Sequence, residues 1–203
     1  GRLNRAWESN NNAGIWMSMI TRPSILLHQA PQITLVAAVA IVQAVRELTG
    51  VELTIKWPND LLIEGKKVTG ILTELIADPD QVKAIIVGMG INVNQTEQDF
   101  SKEVRTIATS LAIATGERFN RNHLIAEIAN QFEKYMHIYE SIGFGPIKTL
   151  WEASSHTMGK QITARLVNET LQGEAIGIDD EGLLLLKLAD GSIRRLYSAD
   201  ILL

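Results

Sequence analysis

Leu53-Thr54-Ile55-Lys56-Trp57-Pro58-Asn59-Asp60-Leu61-Leu62-Ile63 decides how this chain is read. Leu53-Thr54-Ile55 is β-prone and Leu61-Leu62-Ile63 is apolar. A strand therefore brings a lysine, a large aromatic, a rigid proline and an Asn-Asp pair to one point, then resumes. Proline donates nothing to a sheet ladder, so the strand has to bend, bulge or lie at an edge there. Trp57 precedes the proline and is pushed towards extended geometry. Asn59 and Asp60 suit a turn. A kink of this kind aims Lys56. The same residues also read as a surface turn with a solvated lysine, and residue types alone do not choose between the two.

Around that stretch lie 203 residues, enough for one large domain or one domain plus a small one. Hydrophobic residues make up 46%, and 19 basic residues face 23 acidic ones, a globular composition that argues against disorder. A formal charge of −4 supplies no global field for gripping nucleic acid, so any polyanion site is local. There are no cysteines, hence no disulfide and no thiolate metal site, which fits a cytoplasmic protein. No apolar run is expected to reach the ~20 residues of a membrane span, and no secretory signal is visible. The chain opens on Gly1-Arg2 without Met, already inside a motif-like segment, and is expected to be part of a longer protein.

The polar residues 1–14 read as a loop. Ile15-Trp16-Met17-Ser18-Met19-Ile20 reads as a buried strand stopped by Pro23. Residues 31–49 form the clearest helix, apolar nearly all round, with Pro31 at its start and Gly50 just past its end. Such a helix has to be buried against a sheet. The strand 51–63 is followed by a hairpin turn at Glu64-Gly65-Lys66-Lys67, a return strand 68–76 and a third strand 82–93. Three consecutive strands with short turns make an antiparallel meander. Residues 94–105 look polar and mobile. Thr109 is placed to cap a short helix ended by Gly116, residues 121–141 repeat apolar positions at helical spacing, and Pro146 begins a further short helix. After Ser154-Ser155 the chain turns to short strands at 160–167, 171–178, 183–188 and 193–196. The fold class is therefore α+β, mainly antiparallel sheet with helices packed on it, followed by a small β-barrel. The boundary falls near residue 157, giving domains 1–157 and 158–203.

Three segments carry candidate chemistry. Gly1-Arg2-Leu3-Asn4-Arg5-Ala6-Trp7 puts two arginines and a tryptophan on a glycine-containing loop, suited to an anion and a flat ring; it equally reads as a basic surface loop. Lys56 to Asp60 is the second. The third is Gly88-Met89-Gly90-Ile91-Asn92, where missing side chains let a ligand lie against the backbone; an ordinary strand end with tolerated glycines is the alternative. No GxxxxGK[ST], GxGxxG or GxSxG is present. His28, His123, His137 and His156 are scattered without metal-ligand spacing, so no protein metal site is expected, and His123 and His137 fall on the solvent side of their helix. Cations, aromatics and glycines without a nucleophile suit electrostatic stabilisation of phosphate chemistry.

Together these segments resemble biotin protein ligases. Gly1-Arg2-x-x-Arg5-x-Trp7 is similar to the second half of the family's GRGRxxRxW loop, and Lys56-Trp57-Pro58-Asn59-Asp60-Leu61 to its KWPND signature. Lys67-x-x-Gly70-Ile71-Leu72-x-Glu74 resembles the K-x-x-G-I-L-x-E strand, and Gly88-x-Gly90-x-Asn92 the G-x-G-x-N. KWPND followed by GILxE is specific, and the order and spacing cover essentially the whole chain. The resemblance implies a class II aminoacyl-tRNA synthetase/biotin ligase-like catalytic domain and an SH3-like barrel. It implies a ligase that makes biotinyl-5′-AMP from biotin and ATP with Mg²⁺, then passes biotin to a lysine of a biotin carboxyl carrier protein. It implies Lys56 and Arg2 as the catalytic cations on the biotin carboxylate and the α-phosphate. Gly1, Arg2, Lys56, Gly88 and Gly90 would contact biotin. Arg5, Trp7, Asn92, Asn59 and Asp60 would serve the nucleotide, with Trp7 against adenine and Asn92 on the adenosine side; Asn59 and Asp60 could instead hold the bend. The loop from Val93 to about Ser101 would order over the nucleotide.

The first half of the family's loop and everything before it are absent from the sequence, including the Ser/Thr and Gln that hydrogen-bond the biotin ring in the family. These residues alone are therefore expected to be inactive or poorly folded. A homodimer is expected through sheet edges, and DNA is a partner only where a helix-turn-helix precedes the chain. The alternatives are a fragment of a biotin-sensing repressor and a related lipoate ligase.

Overall fold

A computed structural model of the protein describes residues 8–9 and 12–202. In chain order the elements are β1 (Ile15–Thr21), a 3₁₀ turn (Leu27–Gln29), α1 (Gln32–Thr49), β2 (Thr54–Lys56), β3 (Asp60–Ile63), β4 (Lys66–Asp78) and β5 (Gln81–Ile91). A second 3₁₀ turn (Glu97–Asp99) precedes α2 (Lys102–Arg105), α3 (Leu111–Thr115), α4 (Arg121–Ile142) and α5 (Gly145–Ala153). Then come β6 (Gln161–Arg165), β7 (Thr170–Ile178), β8 (Leu184–Lys187), β9 (Ile193–Leu196) and β10 (Asp200–Leu202).

The first five strands form one antiparallel sheet in the order β1-β5-β4-β3-β2. The stretch 51–63, expected as a single bent strand, is instead a hairpin: β2 and β3 run antiparallel, with Lys56 opposite Asp60. The reversal has a physical anchor. The Asn59 side-chain amide donates to the Ile71 carbonyl at 2.8 Å, and the Ile71 N–H donates to the Asn59 carbonyl at 2.9 Å. Trp57-Pro58-Asn59 is thus pinned to β4 rather than continuing along β2; the Trp57–Pro58 peptide is cis. The next turn follows the sequence reading, with Glu64 and Gly65 both at positive φ, 49° and 80°, the pairing that suits the right-handed twist of a tight hairpin.

Helix α1 is apolar all round because it is covered on both sides. It packs on β3, β4 and β5 on one side and on α4 and α5 on the other, and the Thr34 and Thr73 hydroxyls meet at 2.9 Å across the helix–sheet layer. Gly50 closes it in the left-handed region at φ 69°. Against the sequence expectation, Leu27–Thr49 is long and apolar enough to cross a membrane by length and composition; 72% of its apolar 18-residue window is buried in this protein's own core.

The segment 94–105, expected to be mobile, is folded. Asn94 and Gln95 are buried. The Asn94 amide donates to the Phe119 carbonyl and its oxygen accepts from the Phe119 N–H, while the Asn94 N–H donates to the Ala13 carbonyl at 2.8 Å, so side chain and backbone together hold the segment. Ser110, one residue beyond the expected Thr109, caps α3 through the Ile113 N–H.

The second sheet has the order β10-β6-β7-β8-β9. Four of its strands fall where periodicity puts them. The fifth, β10, is three residues long, too short for a periodic signal, and is defined by pairing with β6. Both the segment leading into this β unit and the unit itself hold the first sheet. The Ile55 N–H donates to the Ser154 carbonyl at 2.7 Å and the His156 N–H to the Ile55 carbonyl at 2.8 Å, so residues 154–156 line the outer edge of β2. The turn after β7 docks as well: the Gln32 side-chain amide donates to the Asp180 carbonyl at 2.7 Å, and the buried Trp57 indole N–H to the Gly182 carbonyl at 3.2 Å.

Candidate active site

The strand registers place one row of residues across the whole first sheet. Lys56 pairs with Asp60, Asp60 with Gly70, Gly70 with Gly90, and Gly90 with Trp16. Two residues further along the strands, on the same face, Leu72 pairs with Gly88 and Gly88 with Ser18. The opposite face, carrying Ile71, Met89 and Val87, is buried. Gly70, Gly88 and Gly90 therefore form a floor without side chains, with Lys56 at one end and Trp16 at the other. A Cβ on Gly88 would stand 3.3 Å from the Leu72 carbonyl oxygen and 3.9 Å from Ser18 Oγ, so the floor is already close-packed at backbone level.

Above it lies a cavity of about 710 Å³. Its lining includes the residues the sequence singled out: Lys56, Asn59, Asp60, Gly88, Gly90 and Asn92. Gly1, Arg2, Arg5 and Trp7 lie outside the described residues. Asp60 is paired with Lys67, Nζ to Oδ1 at 2.7 Å. Asn92 is 3% exposed; its amide donates to the Thr109 carbonyl at 2.9 Å and its oxygen accepts from Gln95 Nε2 at 3.2 Å. It ties the end of β5 to the loop that leads into α3. That loop reaches the cavity through Phe100. Glu8 accepts from the Ser101 N–H at 3.0 Å, and this hydrogen bonding at Ser101 holds its carboxyl below the usual range.

Residues missed in the sequence complete the wall. Lys67 and Gly70 belong to a quoted motif but were not assigned to the site; the register shows why they matter. Residues 199–202 come from the far end of the chain. His156, set aside as one of four scattered histidines, also lines the cavity. Its Nδ1 is 3.2 Å from Thr54 Oγ1 and its Nε2 is 3.4 Å from Lys160 Nζ. Burial, then the Lys160 and Lys56 charges, hold its pKa below the ordinary 6.5. Nothing local signals this, because Thr54 is 102 residues away in sequence. His123 and His137 are exposed, as expected. Among the described residues no group of three or more His, Asp or Glu could hold a metal ion.

A lysine-edged glycine floor on an antiparallel sheet, backed by helices and followed by a small SH3-like β-barrel, defines the class II synthetase/biotin ligase-like architecture. A model of the Biotin/lipoate A/B protein ligase family matches residues 1–92, and a model of the Biotin protein ligase C terminal domain matches residues 157–203. The biotin--[acetyl-CoA-carboxylase] ligase of Paracoccus denitrificans is 33% identical over 192 residues, covering 92% of this chain and 79% of that protein. The bifunctional ligase/repressor BirA of Bacillus subtilis is 51% identical over 201 residues, 99% of this chain; the chain spans 62% of that relative's length. The biotin protein ligase of Aquifex aeolicus in complex with biotin and ATP matches with a TM-score of 0.85 at 27% identity, covering 100% of this chain and 82% of that one. The chain belongs to the biotin protein ligase family.

Proposed function

We propose that the full-length protein is a cytoplasmic ATP-dependent biotin–protein ligase that forms biotinyl-5′-AMP and transfers biotin to a lysine of a biotin carboxyl carrier protein. The observation that carries this reading is the row Lys56, Asp60, Gly70, Gly90 across one sheet face. A glycine floor accepts an apolar acid lying flat along the backbone, and a lysine at its edge meets the carboxylate. Attack of a carboxylate oxygen on the α-phosphorus brings two anions together, and the Lys56 ammonium offsets their repulsion as pyrophosphate leaves. Gly88 and Gly90 flank biotin, and Gly1 and Arg2 complete its site. Arg2 adds charge to the same phosphate. Arg5, Trp7, Asn92, Asn59 and Asp60 serve the nucleotide. The bonds of Asn59 to Ile71 and of Asp60 to Lys67 favour a part in shaping the bend over direct contact. Mg²⁺ enters on the phosphates of ATP.

The test is biotin-dependent exchange of pyrophosphate into ATP by the full-length protein. Exchange that requires biotin is the expected result; exchange driven by lipoate instead would overturn the assignment in favour of a lipoate ligase.

The 51% identity to a bifunctional ligase/repressor favours a second role for the full-length protein, as a biotin-sensing repressor. Gel-shift titration against promoter DNA with and without biotin and ATP tests it. Self-association has strand edge available at β1 and along β4 beyond Leu72, where Leu72, Leu75 and Ile76 are exposed. Sedimentation velocity with and without ligand reads it out.

A further inference from the structure

Transfer of biotin to a lysine needs an amine without its proton, and a lysine side chain near neutrality is an ammonium. Something must take that proton. The cavity's three described carboxylates are engaged: Asp60 with Lys67 at 2.7 Å, Glu8 with the Ser101 N–H at 3.0 Å, and Asp200 on β10, which also has a partner. Lys56 is a cation. Among the described lining residues His156 is the one side chain that titrates near neutral pH.

We propose that His156 accepts the proton that the acceptor lysine loses as it attacks the activated carboxyl carbon of biotin. The inference rests on the ligase reading above.

Its geometry follows from the hydrogen bonds. The His156 N–H donates to the Ile55 carbonyl at 2.8 Å, so the backbone of residue 156 is fixed along β2, one residue from Lys56. The ring stands between Thr54 Oγ1 at Nδ1, 3.2 Å, and Lys160 Nζ at Nε2, 3.4 Å. An ammonium carries only donors. Nε2 facing Lys160 is therefore the acceptor nitrogen, and the ring proton sits on Nδ1, donated to the Thr54 hydroxyl. Nε2 already receives a lysine ammonium. Lys160 is exposed, so an incoming lysine of the same chemistry exchanges with it.

The charged groups lining the cavity are Lys56 on β2, Asp60 on β3, Lys67 on β4, Asp200 on β10 and Glu8, with Lys160 outside it. Lys160 and Lys56 lower the proton affinity of His156, and by the same repulsion they lower that of an arriving ammonium. The ring stays neutral at neutral pH, and the proton moves between groups brought closer in affinity.

The step balances as follows. One proton passes from the acceptor ammonium to Nε2, giving an imidazolium. The amine nitrogen forms a bond to the carboxyl carbon, and the bond from that carbon to the phosphate oxygen breaks. AMP departs with the electron pair, and the second amine proton goes to its phosphate or to water. The product is an amide, and His156 returns its proton to solvent.

The experiment uses the full-length protein with His156→Asn, His156→Gln and Lys160→Gln. Single-turnover transfer from enzyme-bound biotinyl-5′-AMP to a biotin carboxyl carrier domain is measured between pH 5 and 9, roughly spanning the histidine range, beside pyrophosphate exchange. Both His156 variants are expected to slow transfer by roughly a hundredfold and to slow exchange far less. The wild-type advantage in transfer should shrink towards unity as pH falls below the His156 pKa, because the imidazolium accepts nothing. Lys160→Gln removes a cation and should move that midpoint upward, a shift that a merely structural role does not produce. Transfer close to the wild-type rate, equal losses in both half-reactions, or an advantage flat with pH each overturns the proposal. A wild-type protein that performs neither half-reaction overturns the ligase reading itself.

Discussion

Lys56 and Trp57 are neighbours with opposite surroundings. Lys56 is half-buried on the wall of the cavity, while Trp57 is 3% exposed and turned to the C-terminal domain. The proposed charge therefore rides on a residue whose successor is locked. Lys56→Ala should lower adenylate formation by at least roughly a hundredfold while leaving the urea midpoint unchanged; near-normal biotinyl-5′-AMP formation would remove Lys56 from the mechanism. Trp57→Phe keeps the ring and deletes the N–H that reaches the Gly182 carbonyl, leaving a buried acceptor unpaired. A loss of about 1–3 kcal/mol in chemical denaturation is expected. Gly88→Val adds bulk to a floor where even a Cβ stands 3.3 Å from the Leu72 carbonyl. Biotin affinity, read by calorimetry, should fall by tenfold or more, about 1.4 kcal/mol, with ATP affinity less affected.

At the scale of elements, the hairpin β2–β3 matters most. It turns the polar motif from a kink in one strand into a tip held by β4 on one side and by residues 154–156 on the other. Helices α1 and α4 are tied to the second domain by a chain of three polar groups. Tyr139 OH donates to Gln32 Oε1 at 2.5 Å, and Gln32 Nε2 donates to the Asp180 carbonyl at 2.7 Å. Burial, with the Glu140 charge, pushes the Tyr139 phenol up to about 12, so it keeps its proton and donates. The raised value means that the folded state holds this proton more tightly than the unfolded chain. Its contribution is complete below pH 10, the ordinary tyrosine value, and is lost as pH rises through about 12. Tyr139→Phe should cost about 1–3 kcal/mol at neutral pH by leaving Gln32 Oε1 without its donor, and should abolish the part of the alkaline decline that this phenol supplies. Equilibrium urea unfolding at neutral and alkaline pH reads both.

At the scale of the whole molecule, the C-terminal domain supports the site. It supplies cavity wall at residues 199–202 and a hydrogen-bond acceptor for Trp57. Gly182 is where that support is most exposed to substitution: its φ is +84°, and an added Cβ would lie 2.8 Å from Leu35 Cδ1 on α1. Gly182→Ala should destabilise by about 1–3 kcal/mol and lower adenylation by unseating Trp57. Unchanged adenylation in a destabilised variant would show that the docking serves stability alone.

The sequence by itself determined a good deal. Periodicity placed α1, α4 and most strands, because each buries a face through its own residues. Gly50 and Gly116 marked helix ends because both lie at positive φ, where glycine alone is unstrained. The motifs named Lys56, Gly88, Gly90 and Asn92, all of which line one cavity. Only the tertiary structure decided the reversal at Trp57-Pro58-Asn59, since its anchor is a carbonyl on β4, twelve residues away. Only register could show that Gly70 joins Gly88 and Gly90 in one floor, because cross-strand pairing is not written in local composition. His156 and residues 199–202 reach the site through contacts across the length of the chain. No spacing rule encodes such contacts, because they exist only once distant parts of the chain have packed together.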